Sequence, residues 1–90
     1  MSLNRYAKRR DETERPIIDA LRGTGHRVRQ YDFPDLLVQN RSTGRLYLLE
    51  IDGVTKYRKR SKAQRDFIDE WRIPVVKTES EALRAVGEIL

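Results

Sequence analysis

Two short stretches of this chain carry side chains suited to metal-assisted chemistry, Pro34-Asp35 and Glu50-Ile51-Asp52. Alternate residues of a strand project to one face, so Glu50 and Asp52 point the same way if their stretch is extended. Leu46 and Leu48 share that parity, which places the two acids at the end of an apolar row. Between the stretches lies Asn40-Arg-Ser-Thr-Gly44, which has the residues of a hairpin turn. If it closes a hairpin, Asp35 comes near Glu50 or Asp52 and three carboxylates converge. Such carboxylates repel one another, and a divalent cation relieves the repulsion. Taken singly, each acid reads as a strand-end surface residue paired with one of the 19 lysines and arginines. Taken together, they favour a metal site.

The remaining composition narrows the metal. There is no cysteine and a single histidine, His26, which excludes thiolate and multi-histidine sites. Oxygen ligands alone point to a hard cation, Mg2+ or Mn2+.

The elements that must position these acids can be read from periodicity and punctuation. Thr13 reads as a helix N-cap with Pro16 in the first turn, where a missing N–H costs nothing. Glu14, Ile17, Ile18 and Leu21 form a stripe at helical spacing, and Gly23 and Gly25 end the helix. Residues 1–12 are a basic arm or an extension of that helix. Strands are expected over 26–31, 35–39 and 46–52, as an antiparallel meander. Ser61-Lys-Ala-Gln64 is a capping box that opens a helix with Phe67, Ile68 and Trp71 on one face. Pro74-Val-Val-Lys77 reads as a short buried strand. Thr78-Glu-Ser-Glu81 is a second capping box, opening a last helix with Leu83, Val86 and Leu90 inward. The order α-β-β-β-α-β-α makes a single α/β (α+β) domain over 13–90, a small mixed sheet flanked by helices.

Charge points to the partner. The chain has 90 residues and a formal net charge of +5. Lys56-Tyr57-Arg58-Lys59-Arg60, with Lys62 and Arg65, is the densest positive segment and directly follows the acids. Acids that hold cations at a phosphate, beside a loop that grips flanking phosphates, suit a phosphodiester substrate. Tyr57 is placed to stack on an unpaired base. Arg5, Lys8, Arg9 and Arg10 offer a second contact or a solubilising tail. No pattern reads base edges, so sequence-specific action is not expected. No apolar run is long enough for a membrane span and no signal peptide is visible, so a soluble, intracellular, cytoplasmic protein is expected.

The set of motifs resembles one family. Glu14-x-x-Ile17-x-x-x-Leu21, Pro34-Asp35-Leu36, Leu49-Glu50-Ile51, Gly53 and Ser61-Lys-Ala-Gln64 follow one another as in the virus-type replication-repair nuclease (VRR-NUC) domain of the PD-(D/E)xK superfamily. The likeness runs from Thr13 to the last helix. It implies a restriction-endonuclease-like core and a metal-dependent endonuclease acting on duplex, flap or branched DNA, similar to Holliday-junction resolvases. It also implies a role in DNA repair, a phage or prophage setting and a homodimer. On this resemblance Asp35, Glu50 and the Ile51 carbonyl hold the metal, Glu14 holds a metal-bound water, and Gln64 is the family glutamine. On the residues themselves, Glu14 also reads as an acid placed by the helix macrodipole, and Gln64 as the capping partner of Ser61.

The chain departs from the family pattern at Asp52, where the motif has lysine. Three accounts stand open. A lysine has migrated, with Lys56 the candidate; Asp52 is an additional ligand that recruits a second cation; or the site binds metal and DNA without cutting. The alternative function is therefore a catalytically impaired DNA-binding module that retains the nuclease fold.

Overall fold

The computed structural model describes residues 2–52 and 60–88. The elements are α1 (Ser2–Gly23), β1 (Arg27–Gln30), β2 (Leu36–Gln39), β3 (Leu46–Ile51), α2 (Lys62–Trp71), β4 (Val75–Val76) and α3 (Glu79–Ala85). They form a small mixed α+β domain, with one four-stranded sheet in the order β1-β2-β3-β4. The first two pairings are antiparallel and the third, reached through α2, is parallel.

The expected start of the first helix is corrected. Thr13 is not a cap, because α1 already runs from Ser2 and carries Pro16 in its interior. Nothing between Ser2 and Arg15 is a glycine or proline, so helix propagates through Thr13 and overrides its local signal. Proline then removes one backbone bond, at a cost of about 3 kcal/mol that the packing of the helix must offset. The end of α1 is as expected. Gly25 takes φ +92°, and the His26 N–H donates to the Leu21 carbonyl at 3.1 Å.

The strand alternation sets the two faces of the sheet. Leu36 pairs with Leu49 and Val38 with Tyr47. Leu36, Val38, Leu49 and Ile51 are buried together with Ile17, Ile18 and Leu21 of α1, Val76 of β4, and Ala82 and Val86 on α3 and at its C-cap. Leu46, Leu48, Glu50 and Asp52 therefore belong to the opposite row of β3. Leu46 in that row is 64% exposed, so the apolar row that leads to the acids is not the core row.

The β2–β3 turn is held from within. Asn40 Oδ1 accepts from the N–H groups of Ser42 (2.8 Å) and Thr43 (3.1 Å), and Gly44 takes φ +75°. Asn40 Nδ2 donates to the Val86 carbonyl at 2.7 Å and so ties the turn to the end of α3. His26 Nδ1 accepts from the Arg41 N–H at 3.1 Å on the other side.

Both capping boxes form. Ser61 and Gln64 satisfy each other's backbone N–H groups at 3.1 and 3.0 Å, as do Thr78 and Glu81 at 3.1 Å each. The face of α2 that carries Phe67, Ile68 and Trp71 stays near the surface, since none of the helix's side chains is fully buried. Phe67 and Ile68 are half-buried and Trp71 is 65% exposed. Val75 of β4 is also exposed, and only Val76 of that strand reaches the core. Leu90, expected inward, lies outside the described residues.

Burial predicts the order of two truncations. Leu49→Ala removes a fully buried side chain and is expected to cost about 2–5 kcal/mol. Trp71→Ala is expected to cost about 1 kcal/mol or less. Urea denaturation monitored by circular dichroism compares them, and a larger loss for Trp71→Ala would contradict this packing.

Candidate active site

The acids meet at the end of the β2–β3 ladder. Asp35 immediately precedes β2, and the Tyr31 N–H donates to its carbonyl at 2.8 Å, closing the β1–β2 connection. Glu50 is the penultimate residue of β3. The Asp35 backbone N–H donates to Glu50 Oε1 at 3.2 Å, and the Ile51 N–H donates to Asp35 Oδ2 at 2.8 Å. Each acid is thus held by the backbone of the other's strand. The hairpin register brings them together, as the sequence anticipated.

The third acid of the group is Glu14, not Asp52. Glu14, Asp35 and Glu50 are 1%, 4% and 6% exposed. Gln30 Nε2 donates to Glu14 Oε2 at 3.1 Å, joining α1 to β1 beside the pair. Because α1 begins at Ser2, Glu14 sits in mid-helix, where the macrodipole is too remote to explain its placement. Its burial in the helix face that meets the sheet is what places it.

Asp52 continues β3, and its N–H donates to the Val76 carbonyl at 2.9 Å. Its carboxylate lies 3.5 Å from Lys77 Nζ. Ile51 pairs with Val76, so Asp52 and Lys77 are the next cross-strand pair of the parallel ladder. Sequence reasoning missed Lys77. The signal was available, since Lys77 ends the strand that runs parallel to β3, but it requires knowing that β4 pairs there. Arg60, expected to grip a phosphate, instead binds an acid of the pair. Its Nε–H donates to Glu50 Oε2 at 2.8 Å, and its carbonyl accepts from Arg65 Nη1 at 3.0 Å.

Gln64 Oε1 is engaged by the Ser61 N–H in the capping box. Lys62 pairs with Asp66 one turn on at 2.8 Å, both exposed. Lys56, Tyr57, Arg58 and Lys59 lie outside the described residues.

The electrostatics of the pair follow from burial. Desolvation pushes the Asp35 pKa up from 3.8 to about 7. The Ile51 N–H opposes this by stabilising the carboxylate, while a hydrogen bond with the Glu50 side chain and the charges of Glu50 and Glu14 reinforce it. The two carboxyl groups are therefore close enough to share a proton, and a hard cation is what replaces a shared proton between carboxylates. Among the described residues, no group of three acidic or histidine side chains forms a ready cage for a metal ion. Magnesium does not need one, because it is commonly held by one or two carboxylates with water completing its shell. The oxygen donors here fit such an ion in kind.

The raised pKa has a defined sign for stability. The folded state holds the Asp35 proton more tightly than the unfolded chain does. The resulting stability is complete below about pH 4 and is lost as pH rises through about 7. In EDTA, Asp35→Asn is expected to be more stable than the parent at pH 8, with the difference vanishing near pH 4. Denaturant titrations at the two pH values measure this, and equal stability at pH 8 would count against a strained carboxyl pair.

No helix among the described residues is long and apolar enough to cross a membrane. No family model, no curated protein and no solved structure matches the chain.

Proposed function

We propose that this chain is a divalent-metal-dependent endonuclease of the PD-(D/E)xK, VRR-NUC kind, acting on DNA by shape or without selectivity. The observation that carries the reading is the buried, mutually bonded pair Asp35 and Glu50 at the end of one hairpin. Asp35, Glu50 and the Ile51 carbonyl would hold Mg2+ or Mn2+, which supplies Lewis acidity and an activated water. Glu14, fixed by Gln30, provides a nearby acceptor that orients a proton-donating group. Arg60 and Lys77 bring the positive charge that the motif lysine would otherwise supply, in addition to Lys56 as the sequence candidate. Lys62 and Arg65 are exposed and would turn from Asp66 and the Arg60 carbonyl to flanking phosphates. Each phosphate neutralised would steepen the log–log salt dependence of duplex binding by about 0.9.

A second reading has its own support. Arg60 on Glu50 and Lys77 on Asp52 already compensate two of the acids with side-chain cations. That arrangement suits a DNA-binding module that retains the fold and does not cut. A homodimer, which would place two sites on two strands, accompanies the first reading and is tested by light scattering.

Supercoiled plasmid and branched DNA incubated with Mn2+ separate the readings. The nuclease reading expects cleavage by the parent and a loss of about 100-fold or more in Asp35→Ala and Glu50→Ala. Salt-sensitive binding without cleavage, with activity gained in Asp52→Lys, would establish the second reading instead. Neither binding nor cleavage at low salt would remove both.

A further inference from the structure

We infer that Phe33, Phe67 and Trp71 form a stacking surface for unpaired bases of a DNA strand whose backbone reaches the Asp35–Glu50 site. The inference rests on the proposed action on DNA and adds its substrate class, a strand with single-stranded character.

The three rings are contiguous. Phe33 meets Phe67 edge-on with centroids 5.6 Å apart, and Phe67 meets Trp71 at 6.1 Å with a tilt of 38°. Phe33 lies two residues before Asp35, so the row begins beside the acids. Gln64, Phe67 and Trp71 recur at helical spacing along one stripe of α2, whose ten residues span about 15 Å at 1.5 Å per residue. The row therefore leads away from Glu50, where Arg60 is bound, toward a tryptophan that is 65% exposed.

Charge and area select the occupant. Arg72 stands at the tail of the stripe, exposed and in the left-handed region at φ 52°, while the Arg60 guanidinium at its head is held by Glu50. On a helical wheel, Asp66 and Asp69 fall toward the far side of α2, with Lys62 between them, and Glu70 alone among the α2 acids borders the stripe. Flat apolar faces that end beside an exposed guanidinium suit bases joined by phosphates. A second copy of the chain fits less well. A stable interface covers about 800 Å² on each partner, whereas each aromatic side chain offers roughly 150–250 Å² in full and two of these three are half-buried.

Trp71 is the chain's single tryptophan, so its emission reports on this surface directly. Oligodeoxythymidylate is titrated in EDTA at low salt, following tryptophan emission and, with a labelled oligomer, anisotropy. The expected result is quenching that saturates together with anisotropy, and markedly weaker quenching by a blunt duplex. Trp71→Ala is expected to weaken oligodeoxythymidylate binding about tenfold or more relative to duplex, with Trp71→Phe recovering most of the loss. Binding seen by anisotropy with unchanged emission, or equal binding by Trp71→Ala, overturns the stacking surface while leaving the DNA-acting reading in place. A dimer of the parent that becomes a monomer in Trp71→Ala also overturns it, because the surface would then join two copies. Anisotropy that rises with neither single strand nor duplex overturns the DNA-acting reading itself, and the stacking surface with it.

Discussion

The antiparallel register of β2 against β3 is the constraint on which the rest of this molecule depends. Pairing Leu36 with Leu49 places Leu36, Val38, Leu49 and Ile51 against the helices. The same register puts the Ile51 N–H on Asp35 and the Asp35 N–H on Glu50. A slip by one residue would turn the core rows outward and separate the two acids at once. Core and candidate site are therefore specified by one set of backbone bonds. The Asn40 turn guards that register by satisfying its own N–H groups and by holding the Val86 carbonyl on α3.

Burying acids in a domain this small works against its stability. Glu14, Asp35 and Glu50 are among the most enclosed polar residues described. Apolar residues at those positions would fill space without desolvating charge. The partners limit the cost: Gln30 on Glu14, Ile51 on Asp35, and Arg60 on Glu50. They do not remove it, as the raised pKa of Asp35 records. A carboxyl group kept in this condition, as Asp35 is, is poised to exchange a proton for a cation, which links the energetic burden to the proposed chemistry.

α2 shows the opposite economy. Its capping box and interior residues make a sound helix, yet it contributes little to the core. Its role in the fold is to return the chain so that β4 runs parallel to β3. That crossover brings Lys77 to Asp52, while the start of α2 brings Arg60 to Glu50. The aromatic stripe is thus carried by an element that the core does not need to bury.

Local chemistry determined much of this protein. Strand alternation and the Asn40–Gly44 turn announce the hairpin, and the two Ser/Thr-x-x-Gln/Glu boxes mark the starts of α2 and α3. Each is legible because its cause lies within a few residues. Thr13 shows the limit of that reasoning, since a cap worth about 1 kcal/mol yields to a helix that can propagate through it. Which acid joins Asp35 and Glu50 was decided only by the tertiary structure. Glu14 joins Asp35 because α1 packs on the core row of the sheet and meets Gln30 of β1, and Asp52 turns to Lys77 because β4 pairs with β3. Those contacts join residues far apart in the chain, and their energies depend on how the whole core closes. The position of an acid in the sequence carries its charge and parity but not its eventual neighbours.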